Sequence, residues 1–409
     1  MRSWINFAAG ATLALAAPAA AQLALPPLAL PPVGRVIEGV AGPVGDAVRT
    51  VHTSARDLAR ARLERLDELV RRNRDLIERD QLGQPARRGE LLLLAPSPEQ
   101  LAHAAQGGFT VLERHDIADL GFSVVRVGTP GGLSLTAAEK RLKALLPGVS
   151  VSADLLHFQS GGGSSQAVGG SMVGSEPATT TPVGVIDGAP GTGVATRATR
   201  GFAKGAPLPS NHGSAIVSLL TGAGVRQVLV ADVYGADPAG GNALALARGL
   251  GWLVGQGVRV VTISLVGPSS PVVARAVAAA QARGVVIVAA VGNDGPAAPP
   301  SFPASYPGVL AVTAVDGRNR ALIEAGRALH LDYAAPGADM LALDARGRTV
   351  KVRGTSYAAP LVAARAAAVW SAPGGLLTAL DREARDLGAP GPDPAFGRGL
   401  LCGACRRTR

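Results

Sequence analysis

Between residues 182 and 290 the chain alternates short unbroken apolar runs with longer amphipathic stretches, separated by glycine or proline turns. The runs at 183–186, 228–233, 258–263 and 285–290 are too short for helices and show no polar alternation, so each strand must be buried on both faces. The stretches 242–254 and 271–283 have helical spacing between them. Doubly buried strands separated by helices define an α/β fold, a parallel sheet flanked by helices. Such sheets carry their chemistry at the carboxyl ends of the strands. Aromatic residues are 3% of the chain against 47% hydrophobic residues, so this core is built from Ala, Val and Leu.

Four polar residues stand where that chemistry belongs. Asp187 ends the first run, ahead of Gly188. His212, in Asn211-His212-Gly213-Ser214, precedes a helix expected from about Gly213. Asn293, in Gly292-Asn293-Asp294-Gly295, follows the run at 285–290. Ser356 lies in Gly354-Thr355-Ser356-Tyr357-Ala358-Ala359-Pro360, between a glycine turn and an alanine-rich helix expected over 355–370. A proline is tolerated in a first helical turn, and a serine there has backbone amides and the positive helix end beside it. Read singly, Asp187 and Asn293 are ordinary turn residues and His212 an ordinary structural histidine. Together they form a nucleophile, a base, an orienting carboxylate and an oxyanion donor. The rival histidine, His330, lies in 328–333, which alternates like a strand and suits a structural role.

The motif Gly-Thr-Ser-x-Ala-x-Pro at 354–360, and the order Asp187, His212, Ser356, resemble the subtilisin-like serine proteases, the subtilases. The resemblance covers about 182–370. It implies that Asp187, His212 and Ser356 are catalytic and that Asn293 completes the oxyanion hole with the Ser356 amide. Ser264, Leu265, Val266, Gly267, Ala290 and Gly292 are the implied substrate-binding residues, pairing with the backbone of a protein or peptide substrate by strand addition. The segment Asp187-Gly188-Ala189 departs from the usual Asp-Ser-Gly or Asp-Thr-Gly, Ser214 and Ala215 replace the Thr-His that commonly follows His-Gly, and Val266 stands where many relatives have glycine. No clustered oxygen ligands suggest the calcium common in the family, and no cofactor or metal is expected.

Upstream, residues 89–158 read as strand, helix, strand, strand, helix, strand, with a helix capped by Ser97. Directly before a subtilase domain, that order resembles the family's ferredoxin-like propeptide, which acts as an intramolecular inhibitor; a plain accessory domain is the alternative. Residues 159–181 are Gly/Ser/Thr-rich and read as a linker, with maturation expected between 157 and 181. Residues 22–88 combine a Pro/Leu-rich spacer with an amphipathic helix over 44–81, whose stripe is Leu63, Leu66, Val70 and Ile77. Its mixed charges suit packing on a neighbouring domain better than a membrane.

Arg2, the apolar residues after it and Ala19-Ala20-Ala21 make 1–21 a secretory signal, with an uncleaved anchor as the alternative. No later segment reads as a membrane span in the mature chain. An exported periplasmic or secreted protein, made as a zymogen, is the implied setting. Cys402 and Cys405, in the basic tail 402–409 that follows a catalytic domain at 182–401, are then expected to form a local disulfide. The net charge is +10, but no basic cluster is interleaved with aromatics, so nucleic acid is not an expected partner. A non-catalytic binding protein, with the propeptide-like segment held permanently in the cleft, is the second reading.

Overall fold

The computed structural model describes residues 43–160, 177–371 and 375–406, with side chains from residue 55 onward. The expected signal and the spacer before residue 43 lie outside the described residues, as does most of the expected linker. The chain divides into two units, Met1–Thr50, described only as helix over 43–50, and Val51–Arg409. Helix α1 runs Pro43–Arg72. It stops earlier than its sequence periodicity suggests because Asn73 closes its end, backbone N and side-chain Nδ2 both donating to the Leu69 carbonyl. Ile77 therefore leaves the helical stripe and opens β1 (Ile77–Arg79), while Leu63 is exposed.

The next elements are β2 (Pro85–Leu94), α2 (Pro98–Gln106), β3 (Thr110–Ile117), β4 (Phe122–Gly128), α3 (Leu135–Leu145) and β5 (Ser150–Leu155). Ser97 caps α2 through a reciprocal bond with Gln100, which satisfies two otherwise orphaned amides. The strands form an antiparallel sheet with order β1-β2-β4-β3 and β5 on β2, the ferredoxin-like arrangement. Period-two alternation gives the sheet two apolar faces. Leu91, Leu93, Val125 and Val127 pack under α3, whereas Leu92, Phe122 and Val124 join the core of the larger domain.

That domain contains β7 (Val183–Asp187), β8 (Ala198–Gly201), α4 (Asn211–Gly222), β9 (Val228–Asp232), α5 (Ala243–Gly255) and β10 (Val260–Ile263). After the short β11 (Leu265–Val266) come α6 (Pro271–Gln281), β12 (Val286–Ala290), β13 (Leu310–Val315), β14 (Tyr333–Pro336), the hairpin β15 (Met340–Leu343) and β16 (Thr349–Val352), α7 (Thr355–Ala368) and α8 (Leu376–Glu383). Seven parallel strands lie in the order β14-β13-β12-β10-β7-β9-β8. Residues of α4 and α7 share one core with this sheet and those of α5 and α6 another. Around His330 the expected strand does not form, and pairing begins only at Tyr333. His330 Nε2 instead lies 2.8 Å from the Val309 carbonyl and 3.4 Å from Asp332. Cys402 and Cys405 are joined.

Candidate active site

β7 carries Asp187, fully buried, to the carboxyl edge of the sheet. Its two oxygens lie 3.0 and 2.8 Å from His212 Nδ1. His212 is the second residue of α4, so the helix starts two residues before the expected Gly213; Ser210 caps it, accepting from the Gly213 amide at 2.9 Å. A Cβ on Gly213 would collide with the Gly188 carbonyl, and a Cβ on Gly188 would collide with Ser210. The Ser210 cap thus accounts for glycine at 188. Ser214 donates to the Ser210 carbonyl at 2.6 Å and accepts from Gly191 N at 2.9 Å, holding this turn closed. The Tyr357 ring stands 5.5 Å from the His212 ring. Burial, and then the Asp187 carboxylate, push its phenol up to about 12, so it stays neutral beside the imidazole.

Ser356 is the second residue of α7, and Pro360 is the sixth. This is deeper than the first turn that tolerates proline freely, because an amide at 360 would bond the Ser356 carbonyl. Ser264 fills the gap: its hydroxyl donates to that carbonyl at 2.8 Å. Asn293 is tied to the same helix start, its Oδ1 accepting from Thr355 N at 2.9 Å. Thr355 Oγ1 in turn lies 3.1 Å from both the N and O of Gly292. With Oδ1 engaged, the buried donor Asn293 Nδ2 has no partner among the described residues, and neither does His212 Nε2, the acceptor nitrogen when Nδ1–H faces Asp187. Buried polar atoms are usually satisfied, so two orphans at one strand edge mark a site built for a transient partner.

The chain's own segment fills the adjacent groove. β6 (Phe158–Gln159) pairs antiparallel with β11, Gln159 opposite Leu265 and Phe158 opposite Val266. Ser160 donates to the Ser264 carbonyl from its N at 3.1 Å and its Oγ at 3.0 Å. On the other side the His157 amide donates to the Gly241 carbonyl at 2.8 Å. Gly267 makes room for the His157 ring, which a Cβ would approach to 2.6 Å, and Gly292 abuts Val266. Ala290 is buried at the end of β12. Gln159 Nε2 donates to Asp187 Oδ1 at 3.0 Å, and Ser160 Oγ lies 2.6 Å from Ser356 Oγ. The Asp187–His212 bond is therefore made, while the Ser356 hydroxyl is engaged by Ser160. A Cβ on Gly354, whose φ is +142°, would lie 2.8 Å from Asn293 Nδ2 and 3.3 Å from the Ser160 carbonyl oxygen. Glycine there leaves open the space that both atoms border.

A seven-stranded parallel sheet with an Asp–His pair, a helix-borne serine and a strand paired on β11 defines the subtilisin architecture. The sequence profile of the subtilase family matches residues 187–398, just over half of the 409 residues, and the chain belongs to that family. The minor extracellular protease Epr of Bacillus subtilis (strain 168) is 34% identical over 131 residues, 31% of this chain and 20% of that protein. Subtilisin BL of Lederbergia lenta is 33% identical over 144 residues, 35% of this chain and 53% of the relative. The chain thus spans about half or less of the curated relatives it matches. Among solved structures, fervidolysin from Fervidobacterium pennivorans, a keratinolytic enzyme related to subtilisin, superposes with a TM-score of 0.62. That match is 17% identical and covers 77% of this chain and 60% of the other, a likeness of fold.

Proposed function

We propose that this chain is an exported serine endopeptidase, made as a zymogen, that cuts its own Ser160–Gly161 bond. The observation that carries the reading is the seating of Ser160. Its strand adds to β11, its hydroxyl touches Ser356 Oγ, and its carbonyl oxygen and Asn293 Nδ2 border the same space at Gly354. In the reaction the Ser356 hydroxyl turns from Ser160 toward His212 Nε2, gives up its proton there, and bonds to the Ser160 carbonyl carbon. Asp187 holds the imidazole in orientation and stabilises its positive charge. Asn293 Nδ2 and the Ser356 amide donate to the oxyanion. His212 then protonates the departing Gly161 nitrogen, the Ser160–Gly161 bond breaks, and water releases the acyl group from Ser356. Peptide substrates would follow the same path once the segment 157–160 leaves. A fluorophosphonate probe tests this: labelling confined to Ser356, and lost in His212→Ala, is the expected result. A Ser356 that stays unlabelled after the segment before Gly161 has been removed would favour the second reading, a regulatory protein with its cleft permanently filled, which the occupied groove also suits.

Two buried groups make the seating depend on pH in opposite senses. Burial lowers the His157 imidazole to about 4, from an ordinary 6.5, against a smaller opposing pull from the backbone at Leu155 and Gly241. A lowered histidine helps the seated state fully above 6.5 and loses that help as pH falls toward 4. The group facing it is Tyr234, whose hydroxyl donates to the His157 carbonyl and whose phenol is pushed up by burial, then by Asp187 and Asp232. Burial raises Asp154, which accepts from Leu244 N at the start of α5, to about 6 from 3.8. Its contribution is full below 3.8 and is lost as pH rises through 6. Between pH 7 and 5.5 the two oppose each other. Asp154→Asn should expose the histidine, with affinity for the cleaved N-terminal fragment falling about tenfold over that interval. His157→Leu should reverse the slope. Calorimetry on the cleaved complex checks both.

A further inference from the structure

Helix α1 lies outside residues 187–398, and its contacts run across the filled groove. Leu69 and Val70 pack with Ile77, Leu156 and Phe158, so this part of the helix covers the seated strand. One turn earlier Leu66 is buried. Earlier still, Arg62 Nε lies 3.2 Å from Asp294 Oδ2, and Arg65 pairs with Asp294 Oδ1. Leu58 comes next, 3.1 Å from where a Cβ of Gly295 would stand. Spacings of four, four and three bring Leu58, Arg62, Leu66 and Leu69 onto one face. Between this face and Ser160, Val266 and Asn293 lies a cavity of about 760 Å³. The helix reaches from Phe158 on one bank of the groove to the loop bearing Asn293 on the other.

We propose that α1 is a second inhibitory element, a strap across the seated segment with Asp294 as its charged anchor. Strand pairing alone holds residues 158–160 by a few backbone bonds. The strap adds an apolar cover over Phe158 and a two-arginine clamp on the residue next to Asn293. Cutting the Ser160–Gly161 bond would then leave the cleft closed until α1 detaches. The inference rests on the proposed function for the identity of the cleft, so its test is made where no cutting occurs.

In full-length Ser356→Ala protein, hydrogen–deuterium exchange is measured with and without the added pair Arg62→Glu and Arg65→Glu. The backbone amides of His157 and Ser160, bonded to Gly241 and Ser264, should exchange about tenfold faster in the charge-reversed protein. Adding Asp294→Arg should restore their protection. Unchanged exchange at His157 and Ser160 would overturn the strap. So would an equal rise throughout β2 and β5, which would make α1 a general support, or a failure of Asp294→Arg to rescue. Intact mass first establishes that the Ser356→Ala protein used is uncut, so none of these outcomes depends on whether Ser356 is the nucleophile.

Discussion

Ser356→Ala should leave the chain uncut at Ser160–Gly161 and lower peptide hydrolysis by about 10⁶, the loss typical when a triad serine is removed. Stability should hardly change. The Ser356 hydroxyl makes its hydrogen bond to Ser160, whereas the Ser356 carbonyl, held by Ser264, is a backbone group that the substitution keeps. The methyl of alanine suits a helix at least as well as serine does. Circular dichroism melting beside a peptide-hydrolysis assay separates the two effects. A cooperative melt of the uncut variant, at or above the wild-type temperature, with turnover gone is the expected pair. Turnover near the wild-type rate would mean another group is the nucleophile.

Asn293→Ala should reduce turnover by about 10²–10³ with KM little changed, because Nδ2 is asked to bond a charge that exists only in the transition state. The substitution has a structural side as well, since Oδ1 accepts from Thr355 N at the start of α7. Asn293→Asp separates the roles. An aspartate keeps the acceptor for Thr355 but puts an anion where the oxyanion develops, so it should be at least as slow as alanine while preserving the melting temperature. If Asn293→Asp retained most of the wild-type rate, Asn293 would be a helix cap and not an oxyanion donor. Steady-state kinetics on both variants decides.

The parallel sheet was legible because its strands are buried on both faces and leave unbroken Val/Ile/Leu runs, and the residues at their ends were legible as punctuation of those runs. Asp187 does pair with His212, and Asn293 with the Thr355 amide next to Ser356. What stayed hidden was long-range. Ser160 sits in a Gly/Ser-rich stretch that reads as linker, and only pairing with Ser264 and Ser356, 104 and 196 residues away, gives it a place. The role of Ser264 follows from a missing amide at Pro360, a relation no local pattern carries. Of the expected stripe of α1, Leu66 and Val70 do pack, but Leu63 is exposed and Ile77 leaves the helix, while Leu58, Arg62 and Leu69 complete the inward face, with the Arg62 stem half-buried beside Asp294. Position-specific departures such as Gly188 became intelligible only with Ser210 opposite them.

The most direct test of self-cleavage in this cleft is the intact mass and N-terminal sequence of the purified protein, wild type beside Ser356→Ala. The account predicts a wild-type fragment beginning at Gly161, and none in the variant. A wild type that stays uncut, or a cut at Gly161 that persists in Ser356→Ala, would contradict it.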